Sequence, residues 1–174
     1  MMRNGVDMEA VNACIRAMQR DPAEGRRTLS GVTSWNGGAH STTIVRNFAI
    51  AADEPGAMGG TNRGPSPMEL VLSALAACIT ISIAYSAAED EVEVYSIDID
   101  VEGDLDLRRF FEVSDDRRPG FEEVRVTVWM DADAPRERLE DIVNRGYRRS
   151  PVVDSLEGRV PVRVSLARED AEKS

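Results

Sequence analysis

The longest break in the alternation of hydrophobic and polar positions is residues 70–88, nineteen residues without a charge. The run begins at Ser66-Pro67-Met68-Glu69. Ser66 is placed to cap the free amide of Glu69, Pro67 suits the first helical position, and Glu69 can reach back to the Ser66 amide. This spacing predicts a helix that starts at Pro67 and is apolar on all sides. Such a helix either spans a bilayer or lies at the centre of a fold, covered by other elements or by a second subunit. Ser73, Thr80, Ser82 and Ser86 within it, the acidic flanks Glu69 and Glu89, and the lack of a basic flank favour the central helix.

Elsewhere the pattern is amphipathic. Val11, Cys14, Ile15 and Met18 recur at helical spacing after a cap at Asp7, and this first helix should end near Asp21-Pro22. Residues 28–35 and 42–51 predict two strands joined at Asn36-Gly37-Gly38 as a hairpin. Six glycines and prolines make 53–65 a loop. Beyond the apolar helix, Ile97, Ile99 and Val101 alternate with acids, and Val124, Val126, Val128 and Met130 alternate with polar residues and Trp129. Both are half-buried strands.

Between them, 104–120 reads as a strand extension plus a surface loop, with a partner-contacting hairpin as the sharper alternative. Residues 135–147 predict a second amphipathic helix with Leu139, Ile142, Val143 and Gly146 on one face. Ser150-Pro151 opens a short turn or helix. Val160, Val162, Val164 and Leu166 predict a last strand, which Pro161 confines to an edge or a strand start. The element order is that of an α+β fold with an antiparallel sheet, without internal repeats.

With 42% hydrophobic and 30% charged residues, the 174-residue chain is of ordinary globular composition. Arg3, Asp7 and Glu9 interrupt any signal peptide, so a cytoplasmic location is expected. The net charge of −10 argues against nucleic acid and anionic membranes as partners. Two cysteines and one histidine, His40, build neither a disulfide framework nor a His-rich zinc site. No metal and no cofactor are expected.

The candidate chemistry is Cys78, near the middle of the apolar helix. Cysteine is among the most buried residue types, so a small packing hydrophobe is the plain reading of it. Cys78 lies twelve residues beyond Ser66, out of reach of the helix N-terminal field, so a reactive thiolate there needs a cation from elsewhere. Arg46 is the candidate: in a continuous second strand, period two puts Ile44, Arg46, Phe48 and Ile50 on one face. An unpaired charge on a buried face costs about 3 kcal/mol or more. The alternative is an arginine at the sheet rim that reaches solvent. Glu69 has the capping role, with a salt bridge to Arg46 as its functional reading. Nine residues, about 900° of rotation, set Glu69 and Cys78 on opposite sides of the helix, so they meet only through a bridging arginine or across subunits. The glycine-rich loop lacks the P-loop lysine, and no nucleophile elbow surrounds Ser150.

The motifs Asp53-Glu54-Pro55, Gly59-Gly60, Gly64-Pro65-Ser66-Pro67-Met68-Glu69, Leu72 and Ala74-Leu75-Ala76-Ala77-Cys78, with the later Ser150-Pro151-Val152, resemble the OsmC/Ohr superfamily (osmotically inducible protein C and organic hydroperoxide resistance). The resemblance runs over residues 35–166. It divides the chain into an N-terminal helical extension, 1–26, and an OsmC-like domain, 27–174. It implies an intertwined homodimer in which curved antiparallel sheets enclose long buried central helices, with active sites at the subunit interface.

The chemistry implied is a thiol-dependent peroxidase acting on organic hydroperoxides, with an external dithiol as reductant. Cys78 matches the peroxidatic cysteine. The second cysteine of active members precedes a proline, and Ser150 holds that position here. The chain thus resembles an OsmC-like branch without the second cysteine, and three readings follow: a one-cysteine peroxidase resolved by an outside thiol, a peroxidase resolved by Cys14, or a protein that only binds a small apolar ligand. Cys14 also reads as a packing residue on the apolar face of its helix. The family's activating arginine follows two glycines, and the matching place is Ala39-His40. Arg46 is therefore a physical inference, with His40 as a possible donor or a merely solvated loop residue. Many relatives carry glutamate where Met68 stands, and a related branch carries it one residue later, as Glu69 does. The apolar neighbours of Cys78, Val71, Ala74 and Leu75, favour an organic peroxide over hydrogen peroxide.

Overall fold

The computed structural model describes residues 2–158 and 160–166. The chain opens with a hairpin, β1 (Met2–Arg3) against β2 (Val6–Asp7), around the turn Asn4-Gly5 with φ of 47° and 75°. Asn-Gly suits such a two-residue turn, because both positions need positive φ. The Asn4 amide also acts as a strand partner, donating to Val92 O at 2.9 Å and accepting from Val94 N at 3.1 Å. The hairpin was not foreseen; the helix after it was. In α1 (Met8–Arg20), Asp7 caps the amides of Glu9 and Ala10, and the helix stops at Asp21. No residue of α1 is buried.

A three-stranded antiparallel sheet follows, β3 (Val32–Trp35), β4 (Ser41–Val45) and β5 (Phe48–Ala52) in that order. This corrects the expected single strand over 42–51. Arg46-Asn47 forms a two-residue turn with Arg46 at φ 56°, and Val45 pairs with Phe48. The register places Val45 on the face of Phe48 and Ile50, and Ile44 on the other face opposite Ala49. Residues directly opposed in an antiparallel pair share a face, so the turn dissolves the row on which Arg46 was expected to stand.

The loop after β5 is built around Asp53, whose residue is 1% exposed. Its carboxylate accepts the amides of Glu54, Thr61 and Arg63 and the Thr61 hydroxyl, at 2.6–3.2 Å. Gly60 passes so close to the Glu54 carbonyl that a Cβ would lie 1.8 Å from its oxygen. The loop delivers the chain to α2 (Pro67–Glu89), which starts with both bonds of the expected capping box.

α2 is long and apolar enough to cross a membrane, yet one stripe of it is the core of the fold. Leu75, Ile79, Ile83 and Ala87 pack with Ile142 of α3 (Arg136–Arg148) and Val153 of α4 (Pro151–Glu157). The inner faces of β6 (Val94–Asp104) and β7 (Glu123–Ala132), an antiparallel pair with the expected alternation, cover this cluster. Arginines hold the C-terminal end of α2: Asp90 pairs with Arg138 and Arg145, and Glu89 with Arg149.

Two expectations change here. The sheet is divided among three separate antiparallel sheets, although the α+β class stands. Residues 160–166 form no strand: Val162 is 84% and Leu166 99% exposed. Alternation equips a segment for pairing, but a strand exists only where a ladder receives it. Residues 105–122, as expected, form a surface loop with local ion pairs such as Arg108 with Asp106.

Candidate active site around Cys78

Cys78 lies half-buried on α2, at the border between the core stripe and a stripe containing Ala74, Ala77, Ile81 and Tyr85 that this chain leaves exposed. Among the described residues its side-chain partner comes from 72 residues away: the Ser150 hydroxyl donates to Cys78 Sγ at 3.1 Å. Ser150 is 2% exposed and caps α4, accepting the Val153 amide at 3.3 Å. Position is set by the α2–α3 crossing. Gly146 rests against Ile83, Arg149 pairs with Glu89, and the junction of α3 and α4 then falls beside the middle of α2.

The other expected residues are distributed differently. Glu69 is exposed, and its carboxylate accepts the Ser66 amide at 2.6 Å, a bond that holds its pKa below the ordinary range. Arg46, in the β4–β5 turn, places its guanidinium 5.1 Å from the centre of the Phe48 ring. Within the described residues Arg46 makes no ion pair with Glu69 and no hydrogen bond to Cys78. Cys14 is exposed on α1, which corrects its reading as a packing residue, and both cysteines are free thiols. His40 sits in the β3–β4 turn with its Nδ1 buried and without a partner among the described residues. No cluster of three or more His, Cys, Asp or Glu suited to a metal occurs among the described residues.

A groove of about 740 Å³ runs along the adjoining face of α2, walled by Leu75, Ile79, Val124, Val126, Val153 and Leu156. Arg118, Glu122 and Glu157 add charge to it. Cys78 is not part of its wall, although its neighbours Leu75 and Ile79 are. The sulfur and this apolar groove are therefore adjacent and distinct in the single chain.

Asp53 entered the sequence reading as a loop residue and as part of the Asp53-Glu54-Pro55 motif, without a role of its own. Four hydrogen bonds, that of the Thr61 hydroxyl foremost, hold its carboxyl at a pKa of about 2. The signal was an acidic residue at the mouth of a glycine-rich loop, where aspartate often gathers backbone amides.

A sequence-family model described as OsmC-like protein matches residues 60–165. No curated protein matches the chain. Among solved structures it is similar to an OsmC like protein from Mycoplasma pneumoniae, with a TM-score of 0.66 at 19% identity over 76% of this chain and 89% of that one. It is also similar to an organic hydroperoxide resistance protein OsmC from Legionella pneumophila, with a TM-score of 0.56 at 15% identity over 76% and 93%. An organic hydroperoxide resistance protein from Elizabethkingia anophelis has a TM-score of 0.55 at 13% identity over 76% and 91%. At these identities the likeness is one of fold.

Proposed function

The chain belongs to the OsmC-like protein family, and from that premise we propose that it is a thiol-dependent peroxidase that reduces organic hydroperoxides through Cys78, in defence against oxidative stress. The observation that carries this reading is the half-buried Cys78 sulfur held by a hydroxyl donor at 3.1 Å. Fold neighbours named organic hydroperoxide resistance proteins support it.

The Cys78 thiolate attacks the terminal oxygen of the hydroperoxide and the O–O bond breaks. The departing alkoxide takes a proton to become the alcohol, and the sulfur, oxidised by two electrons, becomes a sulfenic acid. Ser150 offers no sulfur for an internal disulfide. One sulfur of an external dithiol therefore attacks the sulfenic acid and water leaves; the second sulfur then attacks the mixed disulfide, restoring the Cys78 thiol and leaving the reductant as a disulfide. A reducing cytoplasm is the setting that supplies such a thiol.

A second copy of the chain is part of this reading. Trp35, Phe48 and Ile50 on one face of the β3–β5 sheet, Ile81 and Tyr85 on α2, and the alternating apolar residues of 160–166 are all exposed. Apolar surface of this extent around an uncharged helix supports a homodimer. In the dimer, Arg46 of the turn reaches a Cys78 and forms a salt bridge with Glu69. The 740 Å³ groove favours a second reading, a non-catalytic protein that binds a small apolar ligand away from the thiol.

The test is mass spectrometry of the reduced protein after one equivalent of cumene hydroperoxide, with dimedone present and Cys78→Ser as control. A dimedone adduct on Cys78 is expected. An unmodified Cys78 in folded protein leaves the binding reading.

A further inference from the structure

We propose that Ser150 is a positioning residue for Cys78: its hydroxyl donates to the sulfur, so the site favours the thiolate and, once oxidised, rests as a sulfenic acid open to an outside thiol. The inference deepens the peroxidase reading and rests on it.

A serine hydroxyl has one hydrogen and two lone pairs. At 2% exposure, Ser150 has no bulk water to satisfy it. The Val153 amide donates into one lone pair at 3.3 Å, which leaves the hydroxyl hydrogen to be placed, and the acceptor within reach is Cys78 Sγ at 3.1 Å. The cap of α4 thereby fixes the direction of the O–H bond. A neutral thiol is a weak acceptor, whereas a charged acceptor makes a bond about twice as strong. The donated bond accordingly favours the charged form of the sulfur, and the oxygen-bearing sulfenate after it.

Bond balance separates this site from one with two thiols. A thiol beside a sulfenic acid would condense with it, releasing water and forming a disulfide. Ser150 can hydrogen-bond to the same sulfur without that condensation. With no second sulfur beside it, the oxidised Cys78 awaits a thiol from another molecule.

Because Ser150 also caps α4, the test must see more than stability. Iodoacetamide alkylation of Cys78 across pH reads the thiolate directly and does not depend on peroxide chemistry. In Ser150→Ala the alkylation rate of Cys78 at neutral pH is expected to fall roughly tenfold and the pH–rate profile to be displaced toward higher pH, the effect of losing a hydrogen bond to a charged group. Ser150→Gly, which keeps most of the capping preference, should show the same displacement if the alanine variant fails to fold. Ser150→Thr retains the donor and should restore the wild-type profile. In Ser150→Cys, cumene hydroperoxide should give an internal disulfide in place of the dimedone adduct. Unchanged alkylation profiles in folded Ser150→Ala and Ser150→Gly would reduce Ser150 to a helix cap and overturn the inference. A wild-type protein whose Cys78 ignores hydroperoxide, while the alkylation profiles still move, would instead sink the peroxidase reading and leave the Ser150 contact standing.

Discussion

Gly146 of α3 lies against Ile83 of α2 so closely that a Cβ on it would stand 2.6 Å from Ile83 Cγ1 and 2.9 Å from Ile83 N. This contact lets the two helices cross at short range and brings Ser150, four residues on, to the level of Cys78. Part of the obstruction is backbone, which cannot swing away as a flexible side chain does. Gly146→Ala should destabilise the fold by about 1–3 kcal/mol through overpacking and lengthen the Ser150–Cys78 contact. Denaturant unfolding measures the first effect, and slower alkylation of Cys78 the second. Wild-type values of both would refute this account of the crossing.

Cys78→Ser should abolish turnover of cumene hydroperoxide with a dithiol reductant, whereas Cys14→Ser should leave the rate within about twofold. A coupled assay of alcohol release distinguishes them. Comparable loss in both variants would make Cys14 a resolving thiol despite its exposed place on α1.

Arg46→Ala tests whether the β4–β5 turn acts across a dimer. Among the described residues Arg46 has the Phe48 ring as its side-chain partner, so loss of that contact costs about 0.5–1 kcal/mol at an exposed site. A role at Cys78 would add a tenfold or greater fall in peroxidase rate. Stability lowered without any change in rate would remove Arg46 from the site. Glu69→Gln separates capping from bridging in the same way, since glutamine keeps the capping box.

The charge state of Asp53 should govern the loop that starts α2. Its carboxyl pKa of about 2 in the fold lies below the ordinary 3.8. The carboxylate therefore contributes stability above about pH 4 that is lost as pH falls toward 2. Amide exchange at Thr61 and Arg63, both donors to Asp53, should accelerate over that interval. Asp53→Asn should show the faster exchange already at neutral pH and no further acid step.

Light scattering should give a mass of two chains, and Ile81→Asp, a charge on the exposed stripe of α2, should convert it to one chain. A wild-type monomer at micromolar concentration would contradict the dimer.

The start of α2 at Ser66, the cap of α1 at Asp7, the alternation of β6 and β7 and the apolar face of α3 were all readable, because each depends on residues within one or two turns or along one strand. That Ser150 holds the position of the family's second cysteine came from the resemblance; its 3.1 Å contact with Cys78 came only from the folded chain.

Tertiary structure decided the rest, for one recurring reason: the deciding partner is remote in sequence. Arg46 looked like part of an apolar row until Val45 paired with Phe48 and turned the chain at that residue. Asn4 acquired a role because β6 begins beside it, and Asp53 because the loop folds back to bring Thr61 and Arg63 to its carboxylate. Residues 160–166 carry a strand pattern without a strand, since alternation specifies which side chains face one way and not which edge receives them. Local sterics and periodicity set α1, α2 and α3, the caps at Asp7 and Ser66, and the alternation of β6 and β7. Which residues meet at Cys78 was decided by the packing of α3 and α4 on α2, a balance of contacts that no local pattern records.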